Sequence, residues 1–317
     1  IEALGKIGGE DAEKVLIDQL GGENNAEAFR ALCSFPGKLN LTEALNSAEG
    51  DKKFSLLKLA SARRCTEAAD DILKLTKDQT YGQAAIDALP GIVTPKQKYA
   101  AISILVITKN EQDIPKWQKI WASALQTLSA EEQYKELSQF TSQPLVPNRE
   151  RLYPLLAATG TDASVKELEK INDKAALAAL AKSPNYKAAA PLLAAAKAGD
   201  QNALSAYVRL VSEKEQNMDR RTSKLSEAFS LAKTAGNKKN IIEKLGQTPT
   251  RNAFLLVGKQ LDDKELNYAA ANAARNIIEK TSEDIEYDIV KANLEKCINI
   301  FSDFFLCVLK ISLESLE

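Results

Sequence analysis

Apolar residues recur at helical spacing along nearly the whole chain, and short connectors interrupt them every few turns. In residues 11–20 the apolar positions are Ala12, Val15, Leu16 and Leu20, the i, i+3, i+4 stripe of an amphipathic helix. Leu56, Leu57, Leu59 and Ala60 make the apolar side of the next clear helix, with Phe54, Lys58 and Ser61 beside Leu57 on an adjoining side. Ile72, Leu73 and Leu75 continue the pattern, as do Ala85, Ile86 and Leu89. Residues 99–107 are apolar nearly all round, which predicts a helix buried between neighbours. Their β-branched members allow a strand, but no alternating partner run follows. With 14 glycines and 10 prolines the chain is too poor in turn residues for a β-rich fold.

Helix starts and stops are marked. Thr94-Pro95-Lys96-Gln97 and Ser129-Ala130-Glu131-Glu132 read as capping boxes. Asn24, Asp173, Asn185, Asp200, Asp219, Asp262 and Ser282 read as caps or first-turn residues. Gly21-Gly22, Pro36-Gly37, Pro90-Gly91, Gly160, Gly199, Gly236 and Gly246 read as stops. Helices of about three turns cannot each bury a face alone, so they must stack, and regular stacking of helix pairs makes an α-solenoid. Residues 4–20, 155–171 and 231–245 share one plan: a helix end, a glycine turn, a polar start and a new apolar helix. Their irregular spacing makes the repeat degenerate. The expected fold is therefore all-α, an α-α superhelix of short antiparallel helix pairs. Two prolines between Ser142 and Asn148 suggest a break into solenoid halves, residues 1–143 and 144–317, or one continuous solenoid with a long loop. Residues 301–316 read as a hydrophobic capping helix, or as a segment that packs on a further domain or a partner.

Residues 1–32, IEALGKIGGEDAEKVLIDQLGGENNAEAFRAL, resemble a HEAT repeat of the common bacterial type: ALGxIG, an alanine-led helix ending in Leu, a loop, and a second helix. Cys33-Ser34-Phe35 departs from that pattern where the next ALG would fall. Residues 152–160 and 268–296 resemble the helical region that precedes a glycan-active hydrolase domain in some exported Bacteroidetes proteins. Those domains are similar to 3-keto-disaccharide hydrolases and are β-sandwiches. No β-rich segment is visible in this sequence, so no catalytic residue carries over. The resemblance implies an armadillo-like solenoid, a periplasmic or secreted setting, and a carbohydrate-active domain as one partner.

The chain has no histidine. That excludes Ser-His-Asp and Cys-His triads, His-ligated zinc or haem, and an imidazole proton shuttle. It also excludes the His-Glu metal chemistry of deoxyhypusine hydroxylase, a HEAT-like enzyme. No P-loop, GxGxxG or CxxC motif occurs, so no cofactor and no metal site is expected. Cys33, Cys65, Cys297 and Cys307 are too few for a disulfide scaffold; Cys33–Cys65 or Cys297–Cys307 pairing would need an oxidising compartment. The net charge of −1 speaks against a nucleic-acid partner. No run of about 18 apolar residues marks a membrane span. The first residue, Ile1, falls inside a helical pattern, so the chain is read as processed or truncated, with any export signal removed.

Candidate binding residues follow from spacing. Trp117 and Trp121, four apart on a helix, share a face and could form an aromatic platform for a sugar or peptide; the alternative is core packing. Tyr268, Asn272, Arg275, Asn276 and Glu279 share another face, opposite Leu266, Ala270, Ala273, Ala274 and Ile277. Its residue types are similar to the asparagine ladders with which armadillo-type solenoids hold extended peptides, since an amide offers donor and acceptor together. Residues 209–259 hold eleven Lys/Arg against five Asp/Glu, and Arg220, Arg221, Lys224, Lys238, Lys239 and Arg251 could bind an anion or an acidic partner. Residues 283–317 hold eight acids against three lysines. Adjacent carboxylates such as Asp70-Asp71 point about 100° apart on a helix and do not make an acid/base couple.

These observations favour a non-catalytic binding or scaffold module whose partner is a protein or peptide. Two readings compete with it. One is a HEAT-like enzyme such as an alkylated-base DNA glycosylase, for which Trp117, Trp121, Arg63 and Arg64 would be the first residues to test. The other is a pure spacer.

Overall fold

The capping signals become helix starts in the computed structural model, which describes residues 1–282 and 285–300. Both boxes close. The Ser129 N–H donates to Glu132 Oε2 at 2.9 Å, and the Glu132 N–H donates back to Ser129 Oγ at 3.3 Å. Asp173 accepts from the Ala176 N–H at 2.7 Å, and Asp200 from the Ala203 N–H at 3.0 Å. Each such cap satisfies an orphan helix donor and contributes about 1 kcal/mol. Asn217 caps its helix and Asp219 falls in the first turn. Other expectations shift: Gly236 lies inside a helix whose cap is Thr234, and Asp262 lies ahead of a helix that starts at Asn267 and is capped by Leu266.

The helices run α1 (Glu2–Ile7), α2 (Glu10–Asp18), α3 (Asn25–Cys33), α4 (Thr42–Ser47), α5 (Gly50–Arg63), α6 (Ala69–Leu75), α7 (Gly82–Ala88), α8 (Lys98–Ile107), α9 (Ile114–Ala124) and α10 (Ala130–Thr141). They continue as α11 (Tyr153–Ala158), α12 (Asp162–Ile171), α13 (Lys174–Leu180), α14 (Ala189–Lys197), α15 (Gln201–Lys214), α16 (Met218–Leu231), α17 (Ala235–Leu245), α18 (Arg251–Gly258), α19 (Asn267–Ile278) and α20 (Tyr287–Ile300). Among the described residues there is no strand, and the protein is all-α. The apolar run 99–107 is α8. It buries Ala101, Ile102, Leu105 and Val106 on one face, while Tyr99 and Ile107 are exposed. One-sided packing by α9 and residues 149–152 explains why its outer apolar residues stay in solvent.

The chain divides into two compact units, Ile1–Leu155 and the residues from Leu156 on. In the first, α1 packs on α2, α4 on α5, α6 on α7 and α8 on α9, while α1, α3, α5, α7 and α9 form a row. In the second, each helix from α12 to α20 packs on the next, and α15, α17 and α19 form the corresponding row. Helix pairs stacked on neighbours thus bury faces that none could bury alone. The proline loop exposes Leu145 almost completely, at 95%. Beyond it, Asn148 Nδ2 donates to Val106 O at 2.7 Å, and Arg151 Nη1 donates to Leu105 O and Thr108 O at 3.0 and 2.9 Å. These bonds tie residues 148–152 to α8, inside the first unit. The expected capping helix at 301–316 and Cys307 lie outside the described residues.

The two units repeat one device. Gly8 and Gly160 both adopt positive φ, at 74° and 67°, where a side chain would be strained. A Cβ there would also lie 2.7 Å from Pro36 Cγ or 3.0 Å from Pro184 Cγ. The loop that carries each proline is clamped by an arginine from a later helix. Arg63 donates to the carbonyls of Cys33, Phe35 and Gly37 at 2.8, 2.8 and 2.6 Å. Arg209 donates to those of Ala181 and Ser183, both at 3.1 Å. A rigid guanidinium fork suits two or three converging carbonyls better than a lysine would. Two of the three similar segments, 4–20 and 155–171, supply these glycines; the third, 231–245, does not, because Gly236 is helical.

Candidate functional site

Trp117 and Trp121 share a face of α9, but that face is the core: they are 2% and 3% exposed, beside buried Ile120 and Ala124. The platform reading is corrected to inter-helix packing, because these two large side chains fill the first unit where α9 meets α8 and α7.

The basic patch also separates. Lys224 Nζ donates to Glu215 Oε2 and to Tyr186 OH, both at 2.6 Å, and lies 4.9 Å from the Tyr186 ring centroid. Tyr186 OH donates to Glu215 Oε2 at 2.9 Å. The Lys224 ammonium and the Tyr186 hydroxyl hold the Glu215 carboxyl far below its usual range, at about 2. Arg221 Nε donates to the backbone carbonyl of Glu215 at 2.9 Å, and its Nη2 reaches the same oxygen. Glu215 is only 8% exposed, so this is an internal tie between the Tyr186–Ala188 turn, the end of α15 and α16. Lys238 stands 5.8 Å from the Phe229 ring centroid, and Arg251 pairs with Glu286. Arg221 and Lys224 thus direct donors to Glu215 and Tyr186 within the fold rather than jointly to solvent. Arg220 is exposed on α16.

Tyr268, Asn272 and Asn276 do come together, and Lys239 joins them from the other predicted patch. They line a cleft of about 590 Å³ between α17 and α19. On the α17 wall stand Lys239 and Glu243, one helical turn apart, with Gln247 in the turn that follows the helix; on the α19 wall, Tyr268, Asn272 and Asn276 are each one turn apart. Lys264 and Glu265 add to the lining, and Ala269 and Ala273 lie between the walls. Small residues set the depth. A Cβ at Gly246 would lie 2.8 Å from Ala273 Cα, so the backbones approach closely there and the longer side chains stand out on either side. Tyr268 is 61% exposed. The Asn272 amide donates to Tyr268 O at 3.0 Å, which leaves its Oδ1 as the acceptor. Arg275 is not part of the lining; its Nε lies 3.6 Å from Glu279 Oε1, one turn along the same helix.

Gln247, Glu243, Lys264 and Glu265 were not singled out from sequence. Their signal is the i, i+4, i+8 spacing of Lys239, Glu243 and Gln247, which gains meaning only once α17 is set beside α19. Among the described residues no His/Cys/Asp/Glu group is placed to hold a metal, and no helix is long and apolar enough to cross a membrane. Cys33, Cys65 and Cys297 are free thiols; burial raises all three, Cys297 to about 12. The Cys33–Cys65 pairing is not formed.

The equivalent place in the first unit is bridged by side chains of the chain itself. Ile86-Asp87-Ala88-Leu89 corresponds to Ile242-Glu243-Lys244-Leu245, which sets Gln83 at the Lys239 position and Asp87 at the Glu243 position. Buried Trp117, Ile120, Trp121 and Ala124 on α9 match buried Ala270, Ala273, Ala274 and Ile277 on α19, which sets Lys116 at the Ala269 position. Lys116 Nζ crosses to Asp87 Oδ1 at 2.6 Å and to Gln83 Oε1 at 3.0 Å. Gln83 Nε2 then donates to Asp113 Oδ1 at 3.1 Å. No protein-family pattern matches the chain, and no curated protein sequence matches it.

Proposed function

We propose that this chain is a non-catalytic helical-repeat binding module that holds an extended segment of a partner protein in the α17–α19 groove. The observation that carries this reading is the facing pair of columns, Lys239-Glu243-Gln247 and Tyr268-Asn272-Asn276, along an open cleft. Residues four apart on a helix rise about 6 Å. Two residues of an extended chain advance about 6.6–6.8 Å, so successive amides meet alternate peptide groups. Each amide supplies a donor and an acceptor, which is what a peptide backbone requires. A carbohydrate-active domain is the partner that the sequence resemblance implies. The glycosylase reading is weakened, because Trp117 and Trp121 are buried and Arg63 is engaged by three carbonyls.

The test is a peptide array probed with the chain and with an Asn272→Leu/Asn276→Leu variant. Binding should fall about tenfold in the variant, as expected for losing one to two net hydrogen bonds. Unchanged array signal in a folded variant would sink the proposal.

A further inference from the structure

The bridged groove of the first unit shows what the open groove of the second lacks. Between α7 and α9 the Lys116 side chain crosses from one helix to the other, and its ammonium meets Asp87 and Gln83. Between α17 and α19 the carboxylate persists as Glu243, but the lysine position is Ala269. The four-carbon stem and its ammonium are missing, and the cleft of about 590 Å³ stands there instead. Among the described residues no lysine or arginine is in ion-pair contact with Glu243 or Glu265, although both line the cleft. Lys239, where the first unit has Gln83, lies one turn before Glu243 on α17. Lys264, next to Glu265, lines the cleft as well. The two lysines disfavour a further cation at their own ends, so the acceptors left for one are Glu243 and Asn272 Oδ1.

We infer that the segment bound in this groove inserts a lysine side chain over Ala269, its ammonium against Glu243, in the way Lys116 bridges the α7–α9 groove from inside the chain. This rests on the reading of the groove as a peptide site and names the residue it selects. The partner is an extended protein segment with a lysine at its centre. A four-carbon stem suits the space over an alanine, and a compact ammonium can take several acceptors at once.

The test uses the full chain and two heptapeptide libraries, randomised except for a central lysine in one and a central norleucine in the other. Norleucine keeps the stem and removes the charge. The lysine library should be retained about fivefold or more over the norleucine library, the scale of one partly exposed ion pair. Ala269→Lys, which supplies the missing side chain from within, should abolish retention of both. Glu243→Gln should equalise the two libraries while keeping peptide retention, and it remains informative should Ala269→Lys fold poorly. Equal retention of both libraries by the unaltered chain, lost in Ala269→Lys, would overturn the lysine inference and leave the peptide site standing. Retention of neither library would overturn both. Undiminished retention by folded Ala269→Lys would place binding elsewhere and overturn both as well.

Discussion

Between α7 and α9 a lysine crosses to an aspartate and a glutamine; between α17 and α19 the corresponding residue is an alanine, and a cleft remains. The two grooves share their order in the helix row, the spacing of their wall residues and a carboxylate one turn into the wall. They differ in core packing as well. The first unit fills α9 with Trp117 and Trp121, whereas the second fills α19 with alanines. A tryptophan-packed helix holds its neighbours by volume. An alanine-packed helix lets backbones approach and leaves its polar side chains standing above a depression. One plan of stacked helices therefore yields a self-satisfied surface in one copy and an unfilled one in the other.

The comparison can be broken most forcefully at the cores. Trp117→Ala should cost about 3–5 kcal/mol in chemical denaturation, by loss of burial plus a cavity. Tyr268→Ala should stay within about 0.5 kcal/mol, since its ring is mostly in solvent. Equal costs would erase the distinction between a packed helix and a displayed one.

The arginine clamps come next. Arg63→Ala removes donors from three carbonyls and should cost about 3 kcal/mol; Arg209→Ala removes them from two and should cost about 2 kcal/mol. Reversal of that order, read from urea midpoints, would show that the two clamps are not equivalent parts.

The Glu215 tie predicts a pH dependence specific to the second unit. Its carboxyl titrates lower in the folded chain than in the unfolded one, because Lys224 and Tyr186 favour the anion. Its contribution, about 2 kcal/mol for a buried charge-assisted bond, is fully present above the ordinary carboxylate value and is lost as pH falls from there to about 2. Glu215→Gln should flatten stability over that window, as followed by acid titration of the denaturation midpoint. An unchanged slope would remove the tie from the account.

The smallest effect belongs to the latch itself. Lys116→Met should lower stability by only about 0.2–1 kcal/mol, because Lys116 and Asp87 are both substantially exposed. A loss above about 2 kcal/mol would mean that the lysine supports the fold rather than simply bridging the groove.

Much of this fold was legible from residue order. The capping boxes at Thr94 and Ser129, the stripe through Leu56, Leu57, Leu59 and Ala60, and the glycine turns at Gly8 and Gly160 all depend on neighbours within one or two turns. The candidate site was half legible. Tyr268, Asn272 and Asn276 shared a face by spacing alone, but so did Trp117 and Trp121, and spacing does not say which face meets another helix. Lys239 was assigned with Arg221 and Lys224 because the three fall in one charged stretch, whereas packing sends them to different places.

Local chemistry, then, determined that this chain would be a run of capped helices, free of strands among its described residues and lacking histidine chemistry. Tertiary structure alone decided which faces were hidden, which charges were already paired and which gap was left open. The reason is one of range. A cap or a stripe is settled by hydrogen bonds and side-chain directions a few residues apart, whereas the fate of Lys116, or of the space over Ala269, depends on a second helix about 30 residues away in sequence.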